Sequence, residues 1–416
     1  MKIAMMVRGY LPVPRPADVI YAPIDLAVTI AEGLVRRGHK VDFFAPTGSR
    51  LLGVNVESLN MRPLAHNEPE FRAIVTDPGL KGHIQPNLWD GYMSNEMFRR
   101  AALGQYDLLH FHHAEMSLPY ARDNLKTPVV YTVHDPLSPW YKELFELYGS
   151  PNQHFVSISN NQRRDAPDLP YVNTVYNGVD VDFFPFSADA EDYLLIAGRI
   201  VPEKGFKEAI ELAKRTDNRL LIIGPVYPDQ QGYFDQYIKP QLNDKILYLG
   251  AMEQDQLVKY YQKAKAFVTP IQWEEPFGLT TIEAMACGTP VISLHRGAAP
   301  EIIKNGKTGF VVGSMNEMAD AVRKIGQINR ADCRLHVEKH FSNEHMVDNY
   351  EKVFSKVVSN NKLGRLQRKV TGAATKAAKP ITEPVKLVKS SVKQATSKTK
   401  PTAKTTKKPA AKKTKA

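Results

Sequence analysis

The sequence predicts an α/β protein of two doubly wound, Rossmann-like domains facing a cleft, followed by a disordered basic tail. Three observations carry this. The chain opens on an apolar run, a helix-period stretch and a second apolar run, which is a β-α-β unit. Its second half repeats strand-length apolar runs alternating with helix-period segments. Its composition then changes abruptly near residue 361.

In the opening unit, Lys2 to Val7 reads as a strand, Ile24 to Arg37 as a helix closed by Gly38, and Lys40 to Ala45 as the next strand. The loop between carries Pro12, Pro14 and Pro16, a stiff connection at the strand edge where open parallel sheets bind ligands. Residues 46–95 give no regular pattern. Strands are expected at 106–111, 128–133, 155–159 and 171–176, with a helix at 115–124. After the turn Asn177-Gly178, the second half predicts strands at 193–197, 219–223, 246–249, 266–269, 290–294 and 309–312. Helices are expected between them, including 206–215, 254–263 and 280–286, and a last helix over 344–358 could pack on either domain. The expected boundaries are 1–182, 183–340, a helix over 341–360 and a tail over 361–416.

Charge separates the tail from the body. Residues 361–416 hold seventeen Lys or Arg against Glu383 alone, so the preceding 360 residues are mildly acidic although the whole chain is +11. With few large apolar residues the tail cannot offset its ordering entropy. It would attract anionic membrane or nucleic acid non-specifically. Two cysteines, Cys287 and Cys333, give no disulfide framework. With no apolar run of membrane-spanning length, the expected location is cytoplasmic, with peripheral attachment to a membrane as the extension.

The stretch Trp273 to Ser293 holds the densest chemistry: a loop with two carboxylates, a short helix closed by Gly288, and a strand. The helix start near Phe277, Gly278, Leu279 and Thr280 offers free N–H groups to an anion, and Gly278 permits a close backbone approach. Glu275 and Glu283 flank that seat, which suits the hydroxyls on either side of a diphosphate. Thr280-x-x-Glu283 equally fits a capping box, in which Glu283 only returns a hydrogen bond to the helix start. A second loop, Gly198 to Gly205, places Arg199 and Lys204 between a strand and a helix, again at an anion seat.

These loops resemble those of the retaining family 4 glycosyltransferases. The matching motifs are G-R-I-V-P-E-K-G (198–205), E-P-F-G-L-T-T-I-E-A-M-A-C-G-T-P-V-I (275–292) and A-A-P-E-I-I-K-N-G-K-T-G-F-V-V (298–312). The first half adds R-R-G-H-K-V (36–41), H-F-H (110–112), V-Y-T-V-H-D (130–135) and V-Y-N-G-V-D (175–180). The resemblance covers about residues 1–355 and implies the GT-B architecture, in which a nucleoside-diphosphate sugar, with UDP the expected carrier, donates to an acceptor the sequence does not name: a sugar, lipid or small molecule. It implies that Arg199 and Lys204 neutralise the diphosphate without a metal ion. Glu275 would hold the donor sugar and Glu283 the ribose. Gly198, Gly278, Leu279 and Thr280 would line the phosphate path, and His134 would meet the sugar from the other domain. The first loop lacks the Gly-Gly pair that many relatives carry. The alternative is a non-catalytic protein on the same scaffold that binds nucleic acid or anionic surfaces through its tail.

Two further patterns are discounted. Asp180-Val-Asp182 has the D-x-D form of a metal–diphosphate motif but lies in the interdomain crossing. His110, His112 and His113 are strand-end residues without a clear set of metal ligands.

Overall fold

The computed structural model describes residues 1–77, 79–124 and 126–370. Among the described residues, thirteen strands fall into two sheets. The first contains β1 (Lys2–Met6), β2 (Lys40–Phe44), β3 (Asn55–Glu57), β4 (Leu108–Phe111), β5 (Val129–Thr132), β6 (Gln153–Ser157) and β7 (Tyr171–Thr174). The second contains β8 (Tyr193–Ala197), β9 (Arg219–Ile223), β10 (Ile246–Tyr248), β11 (Ala266–Thr269), β12 (Val291–Leu294) and β13 (Gly309–Val312). Their orders are β3-β2-β1-β4-β5-β6-β7 and β10-β9-β8-β11-β12-β13, with every named pair parallel. Each order reverses once, between β1 and β4 and between β8 and β11. At such a reversal the connections leave in opposite directions and open a crevice beyond the strands' carboxyl ends.

Burial explains the strands' near-continuous apolar character. Along β1, Ile3 and Met5 enter one core, with Phe43 and Ile30, while Ala4 and Met6 enter another, with Phe44, Phe111 and Tyr131. A strand covered on both faces must be apolar at both phases of its period of two. The second lobe has its own core, built on β8, β9, β11 and β12.

The last helix, Asn343–Val370, packs on the first lobe. Met346, Val347, Tyr350, Val353, Phe354 and Val357 join the Ile3 core. The Tyr350 hydroxyl lies 3.1 Å from Thr132 Oγ1, and Arg37 pairs with Asp348 at 2.7 Å. The chain therefore crosses between lobes twice. The crossings run side by side: Val179 N donates to Phe341 O and Asn343 N to Val179 O, both at 2.9 Å.

Several expectations need correction. The irregular stretch 46–95 contains β3, a helix Glu68–Val75 and most of a helix Leu80–Ala102. Pro86 and the Asn, Gly and His residues around it hid that second helix. The helix expected over 115–124 is only Leu118–Ala121, and the helix Trp140–Tyr148 was not foreseen. The final helix runs to Val370, so its last ten residues fall where a disordered tail was expected. Asn361 to Val370 is rich in Leu, Lys, Arg and Gln, all good helix formers. The rest of the tail expectation, residues 371–416, lies outside the described residues. Among the described residues, no helix is long and apolar enough to cross a membrane.

Candidate active site

The Lys204–Glu275 pair sits at the second lobe's sheet reversal. A narrow cavity of about 30 Å³ there is lined by Ile196 and Ala197 of β8, Val268 and Thr269 of β11, and Ser293 of β12. Lys204, Glu275, Gly278 and Thr280 close it. Lys204 Nζ lies 2.5 Å from Glu275 Oε2, and Trp273 Nε1 donates to the same oxygen at 3.0 Å. Trp273 opens the stretch singled out in the sequence, yet nothing there marked it as the partner that fixes Glu275.

Two backbone features set this loop. Gly278 has φ +102° and directly precedes the helix Leu279–Ala286. The left-handed turn is what requires glycine there. Within the protein a Cβ at Gly278 would make only ordinary contacts, with Thr281 Oγ1 at 3.5 Å and Glu275 Cγ at 3.9 Å. The tight approach occurs instead at Gly297, φ +56°, where a Cβ would lie 2.3 Å from Glu275 O and 2.5 Å from Glu275 N. Ala298 N donates to Glu275 O at 3.0 Å, so the 295–298 turn braces the loop from behind.

The capping-box alternative for Glu283 does not hold. The helix begins at Leu279, and Thr280 is inside it rather than at its cap. Glu283 instead accepts from the Tyr261 hydroxyl at 3.0 Å and from Gln254 Nε2 at 3.1 Å. It is 8% exposed, and burial pushes its carboxyl up to about 7, with Tyr261 and Gln254 pulling the other way. Asp25, in the first lobe's helix Ala22–Arg36, adds a further upward push. Leu279 and Thr280 supply the first N–H groups of its helix.

The remaining expected residues are dispersed around this centre. Gly198 follows β8, with its N–H bonded to Ile223 O at 3.0 Å. Arg199 is half-buried, and its charge acts on Asp135 of the opposite lobe. His134 follows β5 and lies 2.9 Å, Nε2 to Nδ1, from His112 in a parallel ring stack. Burial pushes His134 down to about 4, so it is neutral near pH 7; its Nδ1 is buried without a partner. Of the four residues central to the sequence reading, Lys204 and Glu275 touch. Glu283 lies on the helix that follows Glu275, bonded to Tyr261 and Gln254, and the Arg199 charge acts on Asp135 of the other lobe.

Glu274, next to Glu275 in the same loop, joins the lobes. It accepts from Arg164 at 3.0 Å and from Gly297 N at 2.8 Å. Glu301 makes the denser contact, accepting from Asn161 N at 2.7 Å, Asn160 N at 2.8 Å and the Tyr176 hydroxyl at 2.9 Å. Asp180 accepts from Asp182 N at 3.0 Å, so the D-x-D residues form a turn. His110 is bonded to Thr132 at 3.0 Å, and among the described residues no cluster of His, Cys, Asp or Glu could hold a metal ion.

Two parallel α/β lobes with a cation–carboxylate pair at the sheet reversal of the second define a GT-B glycosyltransferase. Two family models match consecutively: "Glycosyltransferase Family 4" over residues 25–183 and "Glycosyl transferases group 1" over residues 181–338. The chain belongs to the family 4 glycosyltransferases. An uncharacterized glycosyltransferase of Methanocaldococcus jannaschii is 26% identical, over 76% of this chain and 86% of its own. The D-inositol 3-phosphate glycosyltransferase of Mycolicibacterium smegmatis is 26% identical over 62% and 69%. Among solved structures, a glycosyltransferase from Rickettsia africae superposes with a TM-score of 0.64 at 16% identity, covering 86% of this chain and 99% of its own. The Anabaena protein HepE, solved with UDP and glucose, gives 0.61 at 17% identity over 85% and 99%.

Proposed function

We propose that this glycosyltransferase moves a sugar from a nucleoside-diphosphate sugar to an acceptor hydroxyl with retention of the anomeric configuration and without a metal ion. The observation that carries the reading is the Lys204–Glu275 contact at the β8/β11 reversal, 2.5 Å long and beside the N-terminus of the helix Leu279–Ala286. Lys204, Arg199 and the helix N–H groups supply positive charge where a departing diphosphate develops negative charge. Glu275 takes the sugar's hydroxyls once Lys204 turns to the phosphate. Glu283, anchored by Tyr261 and Gln254, keeps lone pairs for the ribose. UDP as the carrier is supported by the likeness to HepE, whose structures contain UDP, UDP and glucose, or UDP-glucose.

In this reading the acceptor oxygen attacks the anomeric carbon on the face the diphosphate leaves. The bond from that carbon to the phosphate oxygen breaks, and the acceptor's proton passes to the leaving diphosphate. The basic tail would hold the enzyme at an anionic membrane surface through charge.

The test is nucleotide release from a panel of nucleotide sugars, with and without EDTA, and the anomeric configuration of any product read by NMR. Release that survives chelation with a retained anomer is expected. Strict dependence on a divalent ion, or an inverted product, would overturn the corresponding part. Release from none of the donors would instead favour the tail-driven binding protein.

A further inference from the structure

The lobes meet at two separated places, and the sheet orders say how far apart. Asn160 and Asn161, which bond to Glu301, follow β6, whereas the helix Glu68–Val75 follows β3. Those strands are five places apart in the first sheet, about 24 Å at the usual strand spacing. On the second lobe Glu301 follows β12 and Tyr227 follows β9, three places apart, about 14 Å. The Lys204–Glu275 pair lies between, at the β8/β11 reversal. At the β3–β9 end the Arg72 guanidinium of the first lobe lies 3.5 Å from the centroid of the Tyr227 ring of the second. Resting on the donor-site reading above, we propose that the cleft opens at this end, with the Arg72–Tyr227 stack as the clasp that holds it shut and the Glu301 contact marking the pivot.

The two ends differ in what joins them. Tyr176, whose hydroxyl donates to Glu301, lies three residues before Val179. Val179 pairs with Phe341 and Asn343, where both chain crossings run side by side. Covalent chain and backbone hydrogen bonds therefore keep that end together. The Arg72–Tyr227 contact is made by side chains, so it can part without breaking any secondary structure.

Each partner is set in place within its own lobe. Arg72 Nε donates to Glu68 Oε1 at 2.8 Å, and Glu68 N donates to Asp18 Oδ2 at 2.9 Å. Phe71, on the same helix, packs on Tyr10 and Tyr21. Tyr227 is 7% exposed, and Ile200 N donates to Pro225 O at 3.0 Å. Its loop thus stands beside the one that carries Arg199 and Lys204, on the donor side of the cleft. A guanidinium already fixed by Glu68 loses little freedom when it covers the ring. The stack should then favour the shut cleft by roughly fivefold to thirtyfold.

The test follows UDP exchange by stopped flow, and lobe separation by paired spin labels, in the full chain. Cys287 and Cys333 are buried, so the labels go to introduced cysteines. Ala73→Cys with Asp229→Cys reports on the clasp end, and Asp168→Cys with Lys304→Cys on the pivot end; all four residues are exposed. Arg72→Ala and Tyr227→Leu should each lengthen the clasp-end distance and leave the pivot-end distance unchanged. UDP association and dissociation should both quicken about fivefold or more, with Kd kept within about twofold, because the second lobe holds the nucleotide in either state. The double variant should match either single one, and Tyr227→Phe, which keeps the ring, should match the parent. Unchanged exchange and distances in both single variants, equal lengthening at both ends, multiplied effects in the double variant, or Tyr227→Phe behaving as Tyr227→Leu overturns the clasp. Failure of UDP to bind at all would instead overturn the donor reading, and the label distances would still decide the clasp.

Discussion

The Tyr261 hydroxyl donates to Glu283 at 3.0 Å inside the second lobe, so the carboxylate proposed to hold the ribose rests on a buried phenol. Burial raises the Glu283 carboxyl from 4.5 to about 7, and the Tyr261 bond offsets only part of that rise. Between those values the folded state binds more protons than the unfolded chain, so stability falls as pH rises from about 4.5 through about 7. Glu283→Gln, which cannot ionise, is expected to be more stable than the parent above pH 7, by up to about 3 kcal/mol, and similar to it near pH 4. Denaturant melts across that range check this; a gap that widens toward acid would contradict it.

Lys204→Ala removes the cation without opening the core, because the Lys204 side chain is already partly exposed and Trp273 still holds Glu275. Transfer should fall by about 10²–10³ in kcat. Stability should change by less than about 1 kcal/mol. Steady-state kinetics beside a thermal melt separate the two effects.

Gly297→Ala tests the brace behind Glu275. A methyl group would sit 2.3 Å from Glu275 O in a backbone held at φ +56°, and neither atom belongs to a flexible side chain. The loop must shift, at a cost of about 1–3 kcal/mol. Because Glu275 moves with it, transfer should fall at least about tenfold more than nucleotide affinity does. Calorimetric UDP binding and turnover on the same preparation measure that difference.

Glu301→Ala removes the acceptor that holds Asn160, Asn161 and Tyr176 across the lobes. UDP binding, which the second lobe provides alone in this reading, should stay within about twofold. Transfer should fall about tenfold, because the lobes no longer meet in one geometry. Calorimetry for UDP and turnover for transfer check it, and equal losses in both would show that the contact supports only the second lobe.

The second lobe was the more legible half. Four of its strands, 193–197, 219–223, 266–269 and 309–312, begin and end where the sequence pattern predicts. Parallel strands covered on both faces are short apolar runs, and Gly and Pro bound them sharply. The helices between residues 68 and 102 were illegible because polar residues, Gly82 and Pro86 break their period. The buried face of the second helix, Asp90, Met93, Ser94, Met97, Phe98 and Ala101, does recur at helical spacing, but Asp90 and Ser94 interrupt it with polar residues.

The sequence alone determined the two doubly wound lobes, the cations and carboxylates in the second lobe's loops, and the basic tail. Those features follow from local periodicity, turn residues and spacing along the chain. Only the tertiary structure decided that Trp273 and Lys204 share one oxygen of Glu275, and that Tyr261 and Gln254 hold Glu283. It also decided that Glu274 and Glu301 join the lobes and that the last helix returns to the first. Apart from the Trp273–Glu275 bond within one loop, each of these is a contact between residues far apart in sequence or on different elements. Such contacts are set by which strand ends the sheet order brings together, and periodicity along the chain does not encode that order.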